Sequence, residues 1–251
     1  MLGVFTVMSA VPSREAAHFC VCAARILAER GRRTLLIDLC AEHPMLDLAL
    51  GVGEKVLYTV RDVLNGSVPL ENALISPLRR TKKGTVTEDG ILLLAGDVTA
   101  CPTGESVRAL LEQATALSAD AVLVLADART QTTLREVTDA ALLFTDGSEE
   151  SLRALLPLCE SGGPVGVILS HFMLTAEAVN TTIAPRALAD ALGAPVVGIL
   201  PHSAARTVGD KTSREFLAGV TNVTRRLMGE NVPLLYNVSV DGMRKRKYLE
   251  R

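Results

Sequence analysis

The chain has no tryptophan, and aromatic residues make up only 3% of its 251 residues. A core so short of large rings must be filled by Leu, Val, Ile and Ala, which suits parallel strands buried on both faces. No apolar run approaches the ~20 residues a helix needs to cross a bilayer. The first residues lack the charged start and cleavage pattern of a secretory signal. Cysteine is sparse: Cys20, Cys22, Cys40, Cys101 and Cys159 form an odd set without framework spacing. Reduced thiols in a cytoplasmic protein are therefore expected. A strong charge of one sign is missing too. The formal net charge is −2, so nothing draws the chain globally to nucleic acid or to an anionic membrane.

What is present is an alternation of strands and helices. Strands are expected at Gly3–Met8, Thr34–Leu39, Ile91–Ala95, Ala121–Ala126, Ala141–Phe144, Val165–Ser170 and Val196–Leu200. Helical patterns fall between them at Arg14–Arg30, Leu46–Leu50, Tyr58–Leu64, Leu70–Ile75, Gly104–Leu117, Leu134–Asp139, Glu149–Cys159, Ile183–Leu192 and Lys211–Met228. The basic stretch Arg79–Asp89 reads as a loop or hairpin. Short connections between such elements predict an α/β fold, a doubly wound and mostly parallel sheet flanked by helices. Neither repeat nor linker interrupts it. The expected organisation is one domain over residues 1–235, followed by a basic tail over 236–251.

The connection after the first strand carries the argument about chemistry. Residues 9–18 read SAVPSREAAH, with no glycine and no lysine. A loop that cradles phosphates at this place needs glycines, so that the backbone can turn tightly and bring its N–H groups to the oxygens. It also needs a lysine against the phosphate charge and a hydroxyl for magnesium. Here Pro12 removes a donor outright. Ser13 is placed to cap the following helix, and Glu15 falls in its first turn, where a carboxylate favours the helix dipole. The side chain would thus supply the negative charge that a phosphate supplies elsewhere.

Several segments together resemble the MinD/ParA family of deviant Walker-A ATPases, and its MinD branch most. The family loop has the pattern SGKGGVGKTT. Laid without a gap from Ser9, its signature lysine falls on Val11, its Walker lysine on Ala16 and its magnesium-binding threonine on Ala17. The degenerate nucleotide site then comprises Ala10, Val11, Pro12, Ser13, Arg14, Glu15, Ala16 and Ala17. The stretch LAERGRRTLLIDLCAEHPMLDLALGV resembles the second strand and switch region, so Asp38 matches a family aspartate while the water-positioning aspartate falls on Cys40. VLYTVRDVLNGSVPLENALI resembles the segment after it. ADAVLVLADART resembles the Walker B strand, with Asp127 as its acidic residue. LSHF and GILPHS stand where the family contacts adenine, which adds His171 and Pro201. The resemblance covers most of residues 2–230.

That resemblance implies a P-loop NTPase fold whose catalytic loop residues are all replaced. Each lost charge-assisted hydrogen bond to phosphate costs about 1.5–3 kcal/mol, and each 1.4 kcal/mol or so is tenfold in affinity. The expectation is a pseudo-ATPase with no catalytic residue, no metal and no cofactor. The alternative is an active ATPase that takes ATP and magnesium through an atypical loop. The resemblance further implies a regulatory or positioning role in bacterial spatial organisation, through protein partners of a division-site or polar-localisation system. TadZ/CpaE-type relatives motivate the polar reading. A homodimer, if formed, is expected to be independent of nucleotide. Nucleic acid is not expected as a partner, and membrane contact is expected to be weak or indirect, at the inner face.

Other residues read more plainly. Asp38 and Asp127 end neighbouring strands at the cleft and are read as capping or hydrogen-bonding groups before metal ligands. Cys20 and Cys22 are two apart on a helix and read as core. His18, His43, His171 and His202 show no ligand spacing, and Arg79, Arg80, Lys82 and Lys83 read as a solvated basic loop. The tail DGMRKRKYLER has only Met243, Tyr248 and Leu249 as apolar residues, too few to anchor in a membrane alone.

Overall fold

The computed structural model describes residues 3–9, 14–41, 43–80, 86–88, 90–98, 102–117, 119–127, 130, 134, 137–160, 164–172, 184–201, 212–232 and 234. For Arg79, Arg80, Val86, Thr87, His171 and Phe172 it describes the backbone only. Of the sequence expectations, Ala10–Ser13, the body of the Leu134–Asp139 helix, Lys82, Lys83, His202 and the tail over 236–251 lie outside the described residues.

Apolar runs rich in Leu, Val and Ala form β1 (Gly3–Ser9), β2 (Thr34–Leu39), β5 (Ile91–Leu94), β6 (Ala121–Ala126), β7 (Ala140–Thr145), β8 (Val165–Phe172) and β9 (Val196–Pro201). They pair in the order β5-β2-β6-β1-β7-β8-β9, and every pairing in this sheet is parallel. The remaining two strands, β3 (Leu78–Arg80) and β4 (Val86–Glu88), form a separate antiparallel hairpin where a loop or hairpin was expected.

The helices that cover the sheet are α1 (Arg14–Glu29), α2 (Leu46–Leu50), α3 (Val60–Leu64), α4 (Leu70–Ala73), α5 (Gly104–Ala116), α6 (Glu149–Glu160), α7 (Pro185–Leu192) and α8 (Arg214–Leu227). Strand side chains alternate between two cores, as a period of two requires. Phe5, Val7, Leu36, Leu123, Leu125 and Phe144 meet α1, α2 and α8 on one face. Val4, Met8, Leu35, Ile37, Val122 and Val124 meet α3, α4, α5, α6 and α7 on the other. Phe19 and Phe144 supply one of the rare aromatic contacts, edge to face at 5.3 Å. Among the described residues no helix is long and apolar enough to cross a membrane.

Helix ends move where a cap or a pairing overrides the periodic pattern. The expected start at Tyr58 gives way to Val60, because the Thr59 N–H donates to Asp62 at 2.8 Å and sets the first turn there. The expected end at Ile75 gives way to Ala73, because Ile75 exchanges backbone hydrogen bonds with Leu93. The last helix starts at Arg214 instead of Lys211, since Ser213 accepts from the Phe216 N–H at 3.1 Å.

Candidate functional site

In a parallel sheet all strands end on the same edge, so β1, β2, β6, β8 and β9 deliver their C-terminal residues side by side. β6 stands between β2 and β1, with Leu39 and Met8 both opposite Ala126. This register brings Asp38, Asp127 and the end of β1 at Ser9 to one place. His171 lies in β8 and Pro201 ends β9, and Phe172 pairs with Pro201, so these two strand ends are also adjacent. The described residues among those predicted from sequence, Asp38, Cys40, Asp127, His171 and Pro201, therefore lie along one edge. Ala10, Val11, Pro12 and Ser13 fall outside the described residues, and of His171 only the backbone is placed.

The start of α1 is unusual for a helix terminus, which normally faces water. Arg14 is exposed, but Glu15 is only 6% exposed, and Ala16 and Ala17 are each at 1%. Both alanines are packed into the core beneath α1, together with Phe19, Cys20 and Cys40. The first turn carries the acidic Glu15, as the spacing from the strand end requires. One turn further on, the His18 ring stands 5.1 Å from that of Phe216, and its Nε2 is 3.2 Å from the Thr212 hydroxyl. These contacts fasten α1 to α8.

Asp38, fully buried at the end of β2, is tied to the backbone that follows it. Oδ2 accepts from the N–H groups of Met45 at 2.7 Å and Leu46 at 2.8 Å, and Oδ1 accepts from that of Cys40 at 3.1 Å. The Cys40 thiol also bonds to it. Burial pushes the Asp38 carboxyl up to about 6, although the three N–H bonds pull the other way and Asp47 adds to the rise. Burial likewise pushes the Cys40 thiol far up, reinforced by the charges of Asp38 and Asp127, and it raises Cys20 beside Asp38. Both thiols therefore stay protonated and are core groups, not nucleophiles.

Asp127 is 7% exposed and closes a turn: Oδ1 accepts from the Thr130 N–H at 3.3 Å, and the Thr130 hydroxyl donates to the Asp127 carbonyl at 3.2 Å. Both aspartates thus act as hydrogen-bonding groups in this structure. Among the described residues no group of three or more His, Cys, Asp or Glu is placed to hold a metal ion.

Two features of this edge escaped the sequence reading. Gly96 lies against Asp38: a Cβ there would stand 3.0 Å from Asp38 Cγ and 2.8 Å from Pro44 Cβ. At the end of β7, the Thr145 hydroxyl is 3.0 Å from that of Ser151 in α6, and the Ser170 hydroxyl of β8 donates to the Thr145 carbonyl at 3.2 Å. The partners in this network come from two strands and a helix, and no motif marks them.

The seven-stranded parallel sheet with helices on both faces is the fold of the MinD/ParA class of P-loop NTPases. The MinD subunit fold in the MinC:MinD cell division protein complex of Aquifex aeolicus superposes with a TM-score of 0.75, covering 93% of this chain and 98% of that one at 22% identity. In sequence the chain is MinD-like. It is 24% identical over 254 residues to the septum site-determining protein MinD of Synechocystis sp., spanning 88% of this chain and 89% of the relative. It is 27% identical over 229 residues to a putative septum site-determining protein MinD of Emiliania huxleyi, spanning 83% and 81%. No protein-family model matches the chain.

Proposed function

We propose that this chain is a MinD-like pseudo-ATPase that works as a regulatory or positioning protein in bacterial division-site selection or polar placement, through contacts with other proteins. The observation that carries the reading is the start of α1. The positions aligned with the Walker lysine and the magnesium-binding threonine are Ala16 and Ala17, and both are packed in the apolar core. Neither can offset phosphate charge or hold a metal. Val11 replaces the signature lysine, Pro12 has no N–H to offer, and Glu15 adds a carboxylate where a phosphate would need a cation. The residues present do not fit a magnesium nucleotide.

The role in spatial organisation follows from the company the chain keeps. Its sequence relatives are septum site-determining proteins, and one fold neighbour is bound to MinC. A net charge of −2 favours protein partners over nucleic acid. With Val11 in place of the signature lysine, nucleotide cannot join two copies, so a monomer or a nucleotide-independent dimer is expected.

Calorimetric titration with Mg-ATP tests the reading directly. Affinity no tighter than millimolar is expected; micromolar affinity would establish the alternative, an active ATPase with an atypical loop. Light scattering with and without Mg-ATP tests the assembly, and a nucleotide-driven doubling of mass would count against it.

A further inference from the structure

The connection from β2 to α2 is held from within by one side chain. Asp38 takes three backbone N–H groups, from Cys40, Met45 and Leu46, and the Cys40 thiol besides. The bonds to Met45 and Leu46 span seven and eight residues, so the carboxylate closes the whole loop onto the strand that bears it. It also serves the start of α2, whose N-cap Met45 has no side-chain cap of its own. A short helix of five residues depends on such fixing, because propensity cannot hold so few turns. Gly96 leaves the space in which Asp38 and Pro44 come together. Beyond α2, the start of α3 is fixed to the chain after β5 as well. The Val60 N–H donates to the Ala95 carbonyl at 2.8 Å, and the Thr59 hydroxyl donates to Asp97 at 3.1 Å.

We propose that Asp38 is a built-in latch, which by holding Cys40 and the first turn of α2 keeps residues 43–50 in one arrangement with or without nucleotide. This deepens the pseudo-ATPase reading and rests on it for the independence from nucleotide. α2 buries Leu46, Ala49 and Leu50 against α1 while Leu48 is 56% exposed, so the latch also fixes which face of α2 points outward. Asp38 is a positioning residue here, acting on the backbone N–H groups of Cys40, Met45 and Leu46.

Hydrogen–deuterium exchange on the full chain tests the latch. In Asp38→Ala, amides 45–50 should exchange faster by roughly tenfold or more, while those of β6 keep their protection. Asp38→Asn retains one acceptor oxygen and should show a smaller rise. Gly96→Ala leaves the carboxylate in place but crowds it, and should loosen the same segment. If Asp38→Ala does not fold, Asp38→Asn and Gly96→Ala decide. Unchanged protection of 45–50 in the folded variants would overturn the proposal. So would a change in that protection when millimolar Mg-ATP is added to the native chain. Calorimetry on the same sample keeps the two ideas apart: micromolar Mg-ATP binding that leaves residues 45–50 unaltered would sink the pseudo-ATPase reading and leave the latch standing.

Discussion

The first turn of α1 and the loop after β2 meet at the same edge of the sheet, yet they treat their polar groups in opposite ways. At the start of α1, Ala16 and Ala17 present no polar side chain and are packed in the core. After β2 the aspartate is kept and is engaged by three backbone N–H groups. On the proposed function, the difference follows from what each group would do in a site that takes no nucleotide. A lysine or a hydroxyl aimed at an absent phosphate would be a buried polar group without a partner, which is destabilising. A carboxylate that holds backbone donors keeps a structural use, although its own burial works against it.

The comparison can be broken most sharply from the α1 side. Ala16→Lys puts a long cation at a position only 1% exposed, inside the core shared with Phe19 and Cys20. Overpacking and an incompletely compensated buried charge should lower stability by about 4 kcal/mol. The midpoint of urea unfolding measures this. The variant should gain no Mg-ATP affinity, because Pro12 still lacks its donor and Glu15 remains in the first turn. Rebuilding residues 10–17 to the family pattern should be needed for that. Tight binding by Ala16→Lys alone, with stability unchanged, would mean that the loop was never dismantled.

The β2 side is probed by pH. The Asp38 carboxyl is raised from the usual 3.8 to about 6 in the folded chain, chiefly by burial. A raised acid favours folding most when it is protonated. Its contribution is fully present below pH 3.8 and is lost as pH rises through about 6. The displacement corresponds to about 3 kcal/mol. Comparing native and Asp38→Asn unfolding free energies from pH 4 to 7 isolates it from the other carboxylates. The native chain should lose stability over that window relative to the variant. A difference that is flat with pH would mean that Asp38 is not desolvated as the structure has it.

How much of this was legible in the sequence depends on where each partner lies. β2 and β6 have the bounds the sequence predicts, because the mostly apolar TLLIDL and the wholly apolar AVLVLA stand between polar turns. The approach of Asp38 to Asp127 followed from their places at the ends of neighbouring strands. The role of Asp38 as a holder of backbone was not legible in detail. Its partners are N–H groups, which every residue but proline carries, so no residue type marks them. Cys40 could be read only as the loss of an aspartate, whereas it donates its thiol to Asp38 from two residues away. The bond from Ser170 to Thr145 depends on how two strand ends pack, which sequence spacing does not encode.

Asp127 offers a smaller test, through the turn it closes with Thr130. Its Oδ1 accepts the Thr130 N–H at 3.3 Å, a long bond, and the Thr130 hydroxyl already reaches the Asp127 carbonyl. Asp127→Asn keeps an acceptor oxygen and the turn, and should change stability by about 1 kcal/mol or less. A loss as large as that of Ala16→Lys would show that the second aspartate is as deeply engaged as the first, and the contrast drawn here would then lie between the loop after β1 and both strand ends.

The smallest effect should carry the opposite sign. Thr6 lies in the middle of β1, fully buried, and its hydroxyl has no hydrogen-bond partner among the described residues. It shows what the sheet does with a buried polar atom that nothing engages, the state that Ala16 and Ala17 avoid. Thr6→Val replaces the hydroxyl by a methyl of nearly the same volume and keeps the branch at Cβ that a strand favours. Removing an unsatisfied buried oxygen should stabilise the chain by up to about 1 kcal/mol, read as a rise in the urea midpoint with the slope unchanged. A fall in the midpoint would mean that the hydroxyl has a use in the folded chain, a bound water for example.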